Sequence, residues 1–174
     1  MDRVGKVLSL EELLKRLAAC RSGKGVVFTN GCFDLLHLGH IRYLRQAREL
    51  GDLLVIGLNS DASTRRIKGP LRPLVPAEER AETLAALEFV DFVILFDDTT
   101  AEGLISLIKP DVYVKGGDYA EGKALPEADI VREYGGRVEI LPIVEGRSTT
   151  NIVETILRRY EQTKKDENGK GGPG

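Results

Sequence analysis

Tryptophan is absent from the 174 residues, methionine occurs once, and cysteine and histidine occur only twice each. Two cysteines, Cys20 and Cys32, cannot build the disulfide framework of a small secreted domain or a cysteine-rich zinc site. An excess of charge is lacking too. Lys and Arg number 25 against 27 Asp and Glu, for a net charge of −2 and a pI of about 5.8. Such a chain has no global basic field for nucleic acid and no global acidic field, so any anion site must be local. No apolar run approaches the roughly 18–20 residues that a membrane helix needs. The first residues, MDRVGKVLSLEELLKRL, scatter acidic side chains where a signal peptide holds an unbroken apolar stretch. These absences leave a cytoplasmic globular domain without nucleic-acid or membrane partners, and 174 residues suffice for one core.

What is present is an alternation of short apolar runs with amphipathic stretches. Residues 9–20 predict a helix, with Ser9 and Glu12 as a capping box and Leu10, Leu13, Leu14 and Leu17 on one face. Residues 25–30 read as a buried strand, 39–50 as a helix stopped by Gly51, and 52–58 as a strand buried on both faces. Residues 59–76 are polar and rich in Arg, Lys and Pro, and are expected to form a mobile basic loop before a helix opened by Pro76. Residues 92–96, 111–115 and 137–141 complete the strands. Helices are expected from the Thr99–Glu102 capping box to Ile108, over 126–134 and over 150–160. The division is an N-terminal helix over 1–23, one α/β domain over 24–160 and a frayed polar tail over 161–174.

Alternating strands and helices make a Rossmann-like parallel sheet with helices on both faces, and such sheets bind ligands beyond the carboxyl ends of their strands. The unusual residues of this chain fall there. Both histidines, His37 and His40, lie in the segment TNGCFDLLHLGH after the first strand. Two imidazoles at a helix N-terminus, beside a glycine that admits a close backbone approach, suit a polyphosphate. They could equally cap the turn. They make a poor zinc set, with no cysteine or glutamate triad near. Asp34 could orient an imidazole, meet Mg²⁺ or simply form the turn. Lys115, followed by Gly116, Gly117 and Asp118, makes a tight turn where backbone can approach a ligand. Ser148, Thr149 and Thr150 could cap a helix or grip an anion, since both use the same exposed N–H groups.

The run GCFDLLHLGH resembles the G-x-F-D-x-x-H-x-G-H signature of the cytidylyltransferase-like nucleotidyltransferases. The segments GLNSDASTRRIKGPLRPLVPAEERAETLAAL, DVYVKGGDY and VEGRSTTNIVETI resemble, in the same order, the adenylyltransferase domain of bacterial ADP-heptose synthase. The resemblance covers about residues 24–160 and lacks a companion kinase domain, as a stand-alone form would.

The resemblance implies an HxGH-type nucleotidyltransferase fold and transfer of AMP from ATP to D-glycero-β-D-manno-heptose 1-phosphate. Mg²⁺ would accompany the ATP, a separate sugar kinase would act upstream, and the enzyme would form a homo-oligomer. It implies catalytic roles for His37, His40 and Lys68. Nucleotide binding would fall to Asn30, Gly31, Cys32, Phe33, Gly39, Lys115, Gly116, Asp118, Gly146, Ser148, Thr149 and Thr150. Asp34, Arg72 and Arg80 would serve the sugar phosphate. A cytidylyltransferase for glycerol 3-phosphate or phosphoethanolamine, and a non-catalytic nucleotide-binding module, are the alternatives.

Overall fold

The computed structural model describes residues 3–117, 125–142, 146 and 148–169. A short 3₁₀ turn, Arg3–Lys6, leads to α1, Leu10–Cys20. The expected capping box is formed: Ser9 Oγ accepts from Glu12 N, while the Glu12 carboxylate accepts from Ser9 N. Strand β1, Val26–Gly31, follows, then α2, Leu38–Arg48, and β2, Leu53–Asn59, which is buried at every position. Next come α3, Asp61–Lys68, α4, Ala77–Ala85, and β3, Phe92–Phe96. Helix α5, Glu102–Ile108, precedes β4, Val112–Gly116, and α6, Pro126–Glu133, precedes β5, Arg137–Leu141. The last element is α7, Thr149–Gly169.

The five strands form one parallel sheet in the order β3-β2-β1-β4-β5. Strand pleating sends alternate residues to opposite faces, and both faces are apolar. Val26, Phe28, Val55, Ile94 and Tyr113 pack with Leu13 and Leu17 of α1, Ile105 of α5 and Val131 of α6. Val27, Leu54, Ile56, Val93 and Val114 pack with Leu44 and Ala47 of α2 and Ala81 and Leu84 of α4. This is the Rossmann-like fold that the alternation predicts. At the amino ends of the strands, Asp52 accepts from Gly25 N, Asp111 from Val26 N and Asp91 from Leu54 N, each at 2.8 Å. That end of the sheet is thereby closed with carboxylates, two of which also pair with arginines, Asp111 with Arg21 and Asp91 with Arg48. No helix of the described residues is long and apolar enough to cross a membrane.

Three expectations are corrected. Residues 59–76 are not one long loop: Asn59 ends β2 and α3 follows at once, its N-cap Ser60 accepting from Ser63 N. Ser60 reads as a turn residue by composition, and the same residue type caps helices. The Thr99–Glu102 capping box is not formed. The N-cap of α5 is Ala101, whose N–H donates to Glu127 Oε1, while Glu102 accepts from Thr100. Helix α7 passes the expected end at Tyr160 and runs to Gly169. Polarity alone does not end a helix, and Glu, Gln and Lys are good helix formers.

Candidate functional site

The strand order reverses at β1, whose neighbours are β2 and β4. In a doubly wound sheet the crevice lies where successive connections depart to opposite sides. A cleft of about 470 Å³ opens there, at the carboxyl ends of β1 and β4, walled by the β1–α2 turn, α3 and the start of α7. Tyr43 fixes α2 against both strands: its hydroxyl meets Thr29 Oγ1 at 2.5 Å and donates to the Val114 carbonyl at 3.1 Å. Its ring also passes close to Gly116, where a Cβ would stand only 3.1 Å from Tyr43 Cε2. Phe33 holds the turn itself. It sits at φ 43°, a region costly for a side chain of this size, and its ring lies over Gly31, where a Cβ would stand 3.0 Å from Phe33 Cε2.

His37 is the N-cap of α2 and makes no side-chain cap hydrogen bond, so no side chain of the cap position occupies the first N–H groups of the helix, whose first turn borders the cleft. The His37 and His40 rings stack with centroids 3.8 Å apart, and Phe33 meets His40 edge-on at 5.3 Å. Burial, and secondly the neighbouring His37, push the His40 pKa down to about 4, against a smaller opposing effect of the Leu35 backbone. His40 is therefore neutral at pH 7 and offers a single N–H. Ser148 caps the other helix that faces the cleft, accepting from Asn151 N at 3.1 Å, and Thr149 donates to the Leu35 carbonyl at 3.5 Å. Two helix N-termini, of α2 and α7, thus border the same space, and each favours negative charge.

Among the described residues, three cations complete the lining. Lys68 stands at the last position of α3, before Gly69 at φ 98°. Arg72 Nη1 is 2.6 Å from Asp34 Oδ2, while Asp34 Oδ1 accepts from Leu74 N and Val75 N at 2.7 and 3.1 Å. Asp34 therefore acts as a clamp that folds the segment after α3 onto the turn after β1. Lys115, at the end of β4, donates to Asn30 Oδ1 at 3.1 Å and to Tyr113 Oη at 3.2 Å. Burial lowers its pKa, partly opposed by Glu127.

Of the residues that the sequence nominates, Asn30, Gly31, Cys32, Phe33, Asp34, His37, Gly39, His40, Lys68, Arg72, Lys115, Gly116, Ser148, Thr149 and Thr150 all line this cleft. Gly146 does not line it, and Asp118 lies outside the described residues. Arg80 is a correction: it is 2% exposed and lies behind the lining of the cleft, not in it. Its guanidinium is consumed by the Val75 and Cys32 carbonyls and by Asp61, so it braces the walls instead of meeting a substrate. Tyr43 and Thr64 line the cleft without having been nominated. A helical-face argument finds both, since Tyr43 is four residues from Gly39 and Thr64 four from Lys68.

Residues 28–159 match the Cytidylyltransferase-like family. The chain is 61% identical over 142 residues to "Bifunctional protein HldE" of Syntrophotalea carbinolica, which covers 82% of this chain and 29% of that protein. It is 56% identical over 156 residues to the protein of the same name in Geobacter sulfurreducens, covering 89% of this chain and 32% of that one. The chain thus spans about a third of the length of these curated relatives. Among solved structures, a lipopolysaccharide core biosynthesis protein of Thermoplasma volcanium is 31% identical with a TM-score of 0.58, covering 72% of this chain and all of that one. The pantoate-beta-alanine ligase of Francisella tularensis, at 12% identity and a TM-score of 0.56 over 88% of this chain and 79% of that one, shares the fold alone.

Proposed function

From the premise that this chain belongs to the Cytidylyltransferase-like family, we propose that it is an adenylyltransferase acting on a sugar 1-phosphate. The reaction is ATP + D-glycero-β-D-manno-heptose 1-phosphate → ADP-heptose + pyrophosphate. The observation that carries this reading is the stacked His37–His40 pair at the uncapped start of α2, facing a cleft that also holds Lys68, Arg72 and Lys115. Identity of 52–61% to the HldE proteins across most of the chain supports the choice of nucleotide and sugar.

The sugar phosphate is already anionic near neutral pH, so the nucleophile needs no general base. A phosphate oxygen of the sugar attacks the α-phosphorus of ATP, the bond to the β-phosphate oxygen breaks, and pyrophosphate leaves with the electron pair. The protein must hold two anions in line and stabilise the charge that gathers on the leaving group. His37, His40 and the α2 N-terminus supply donors to the phosphates. Lys68 and Arg72 enter from one wall to offset repulsion by the incoming sugar phosphate. Ser148, Thr149 and Thr150 present the first turn of α7. Mg²⁺ belongs to this reading as the ion carried by ATP. The described residues do not form a set to hold it: no group of three metal-ligating side chains occurs among them, and Asp34 is spent on Arg72 and two backbone amides. No step is therefore routed through the ion.

The phosphate of a sugar 1-phosphate has to be installed on the sugar beforehand, and a separate sugar kinase acting upstream is part of this reading. The word bifunctional in the relatives' names and their threefold length agree with that order. A second copy of the chain is a further expected partner. A screen of pyrophosphate release tests the whole reading, with four nucleotides against a panel of sugar and polyol phosphates. ATP with heptose 1-phosphate is the expected pair. Turnover of CTP with glycerol 3-phosphate or phosphoethanolamine would replace the proposal with a cytidylyltransferase. Silence with every pair would leave a non-catalytic nucleotide-binding module.

A further inference from the structure

Glu127 is a buried carboxylate that the reaction above does not use. It lies in the first turn of α6 and is 4% exposed. Its Oε1 accepts from Ala101 N at 3.2 Å, at the start of α5, and stands 4.0 Å from Lys115 Nζ. A carboxylate so placed is costly unless it is paired. Lys115 has the matching problem: its side chain is 19% exposed, and its hydrogen-bond partners Asn30 and Tyr113 are neutral.

We propose that Glu127 is a positioning residue, whose carboxylate holds the Lys115 ammonium charged at the floor of the cleft and joins α5 and α6 to it. Asn30 on β1, Tyr113 on β4 and Glu127 on α6 approach Lys115 from three elements, so the ammonium is fixed before any anion arrives. The other titratable groups acting on it are Cys32 beyond β1 and Lys68 at the end of α3, with His37 and His40 of α2 lining the same cleft. Lys68 is a like charge and favours the neutral amine. Glu127 is the carboxylate that opposes it. A preorganised cation costs no reorganisation when charge develops on a phosphate. A neutral amine in its place would weaken the hold on every anionic ligand.

The inference rests on the adenylyltransferase reading only for its catalytic consequence, and the test separates the two. Glu127→Gln keeps an acceptor for Ala101 N–H and the volume of the side chain, and removes the charge. The midpoint of the Lys115 ¹³Cε resonance, assigned by its loss in Lys115→Met, is followed by NMR titration in the absence of nucleotide. It is expected to fall by about one pH unit in Glu127→Gln, the scale of a nearby opposite charge, with Glu127→Asp between the two. The alkaline limb of kcat/KM for pyrophosphate release should move by the same amount, with the melting temperature nearly unchanged. An unmoved midpoint overturns the proposal even if turnover falls. A midpoint that moves while the kcat/KM profile stays in place overturns the service of the pair to the reaction. A failure of wild-type turnover would strike the functional reading and leave the titration result standing.

Discussion

His37 and His40 stack at 3.8 Å, a distance at which two imidazolium ions repel strongly, and burial adds a further penalty to charging His40. The pair is suited to meet phosphate as neutral or singly charged donors. His37→Ala or His40→Ala is expected to lower kcat by about 10²–10³, the loss of one preorganised donor, while the circular dichroism spectrum is unchanged. Near-normal turnover in both variants would remove the histidines from the site. The depressed pKa of His40 also has a consequence for stability. Its value of about 4 lies below the 6.5 of a free imidazole, so between these limits the unfolded chain binds more protons than the folded one. The His40 contribution is therefore fully present above about pH 6.5 and lost as the pH falls toward 4. The melting temperature should drop more steeply from pH 7 to pH 4.5 in the wild type than in His40→Gln. Parallel curves would show that His40 titrates normally.

At the scale of elements, the segment after α3 is held by Asp34, which engages Arg72 and the backbone of Leu74 and Val75 together. Asp34→Ala removes one partner of a nearly buried pair and orphans two amides. The cost in urea unfolding should be about 3 kcal/mol. The same variant should lower kcat/KM for the sugar phosphate, because Arg72 loses its anchor; an effect on stability alone would make the clamp purely structural. The strands were legible in the sequence, because VVF, LLVIGL and FVILF are short apolar runs of the kind a parallel sheet buries, whereas their order in the sheet was not. The cleft was legible for the same reason, since strand ends place HLGH, Lys115 and STT together. Helix α3 was not legible. Its DASTRRIK has few apolar residues, and its buried face is made of Ser63 and Thr64, which hydropathy does not register. The inward turn of Arg80 was equally hidden, because its partners are two carbonyls and Asp61, brought near only by the fold.

For the whole molecule, the match to the family begins at residue 28, yet the core does not. Leu8, Leu13 and Leu17 are 8%, 0% and 3% exposed and belong to the same apolar layer as Val26, Phe28, Val55 and Ile105. Lys6 donates to the Leu87 and Val90 carbonyls, and Val7 bridges to Val93 beside the edge strand β3. The N-terminal segment therefore covers one face of the sheet and one of its edges. Deleting a single buried leucine side chain costs about 2–5 kcal/mol, whereas a domain has about 5–15 kcal/mol of net stability. Removing residues 1–23 takes three such leucines at once and exposes the apolar face beneath them. A chain that starts at Lys24 retains the whole cleft and the whole signature, and should nonetheless lack a cooperative thermal transition and bind a dye for exposed apolar surface. A sharp melt within a few degrees of the intact chain would show that α1 is an appendage and that the layer bearing the cleft folds without it. The contrast decides where the foldable unit ends: the cleft lies at the carboxyl ends of β1 and β4, and the prediction is that the sheet presenting it needs both of its faces covered.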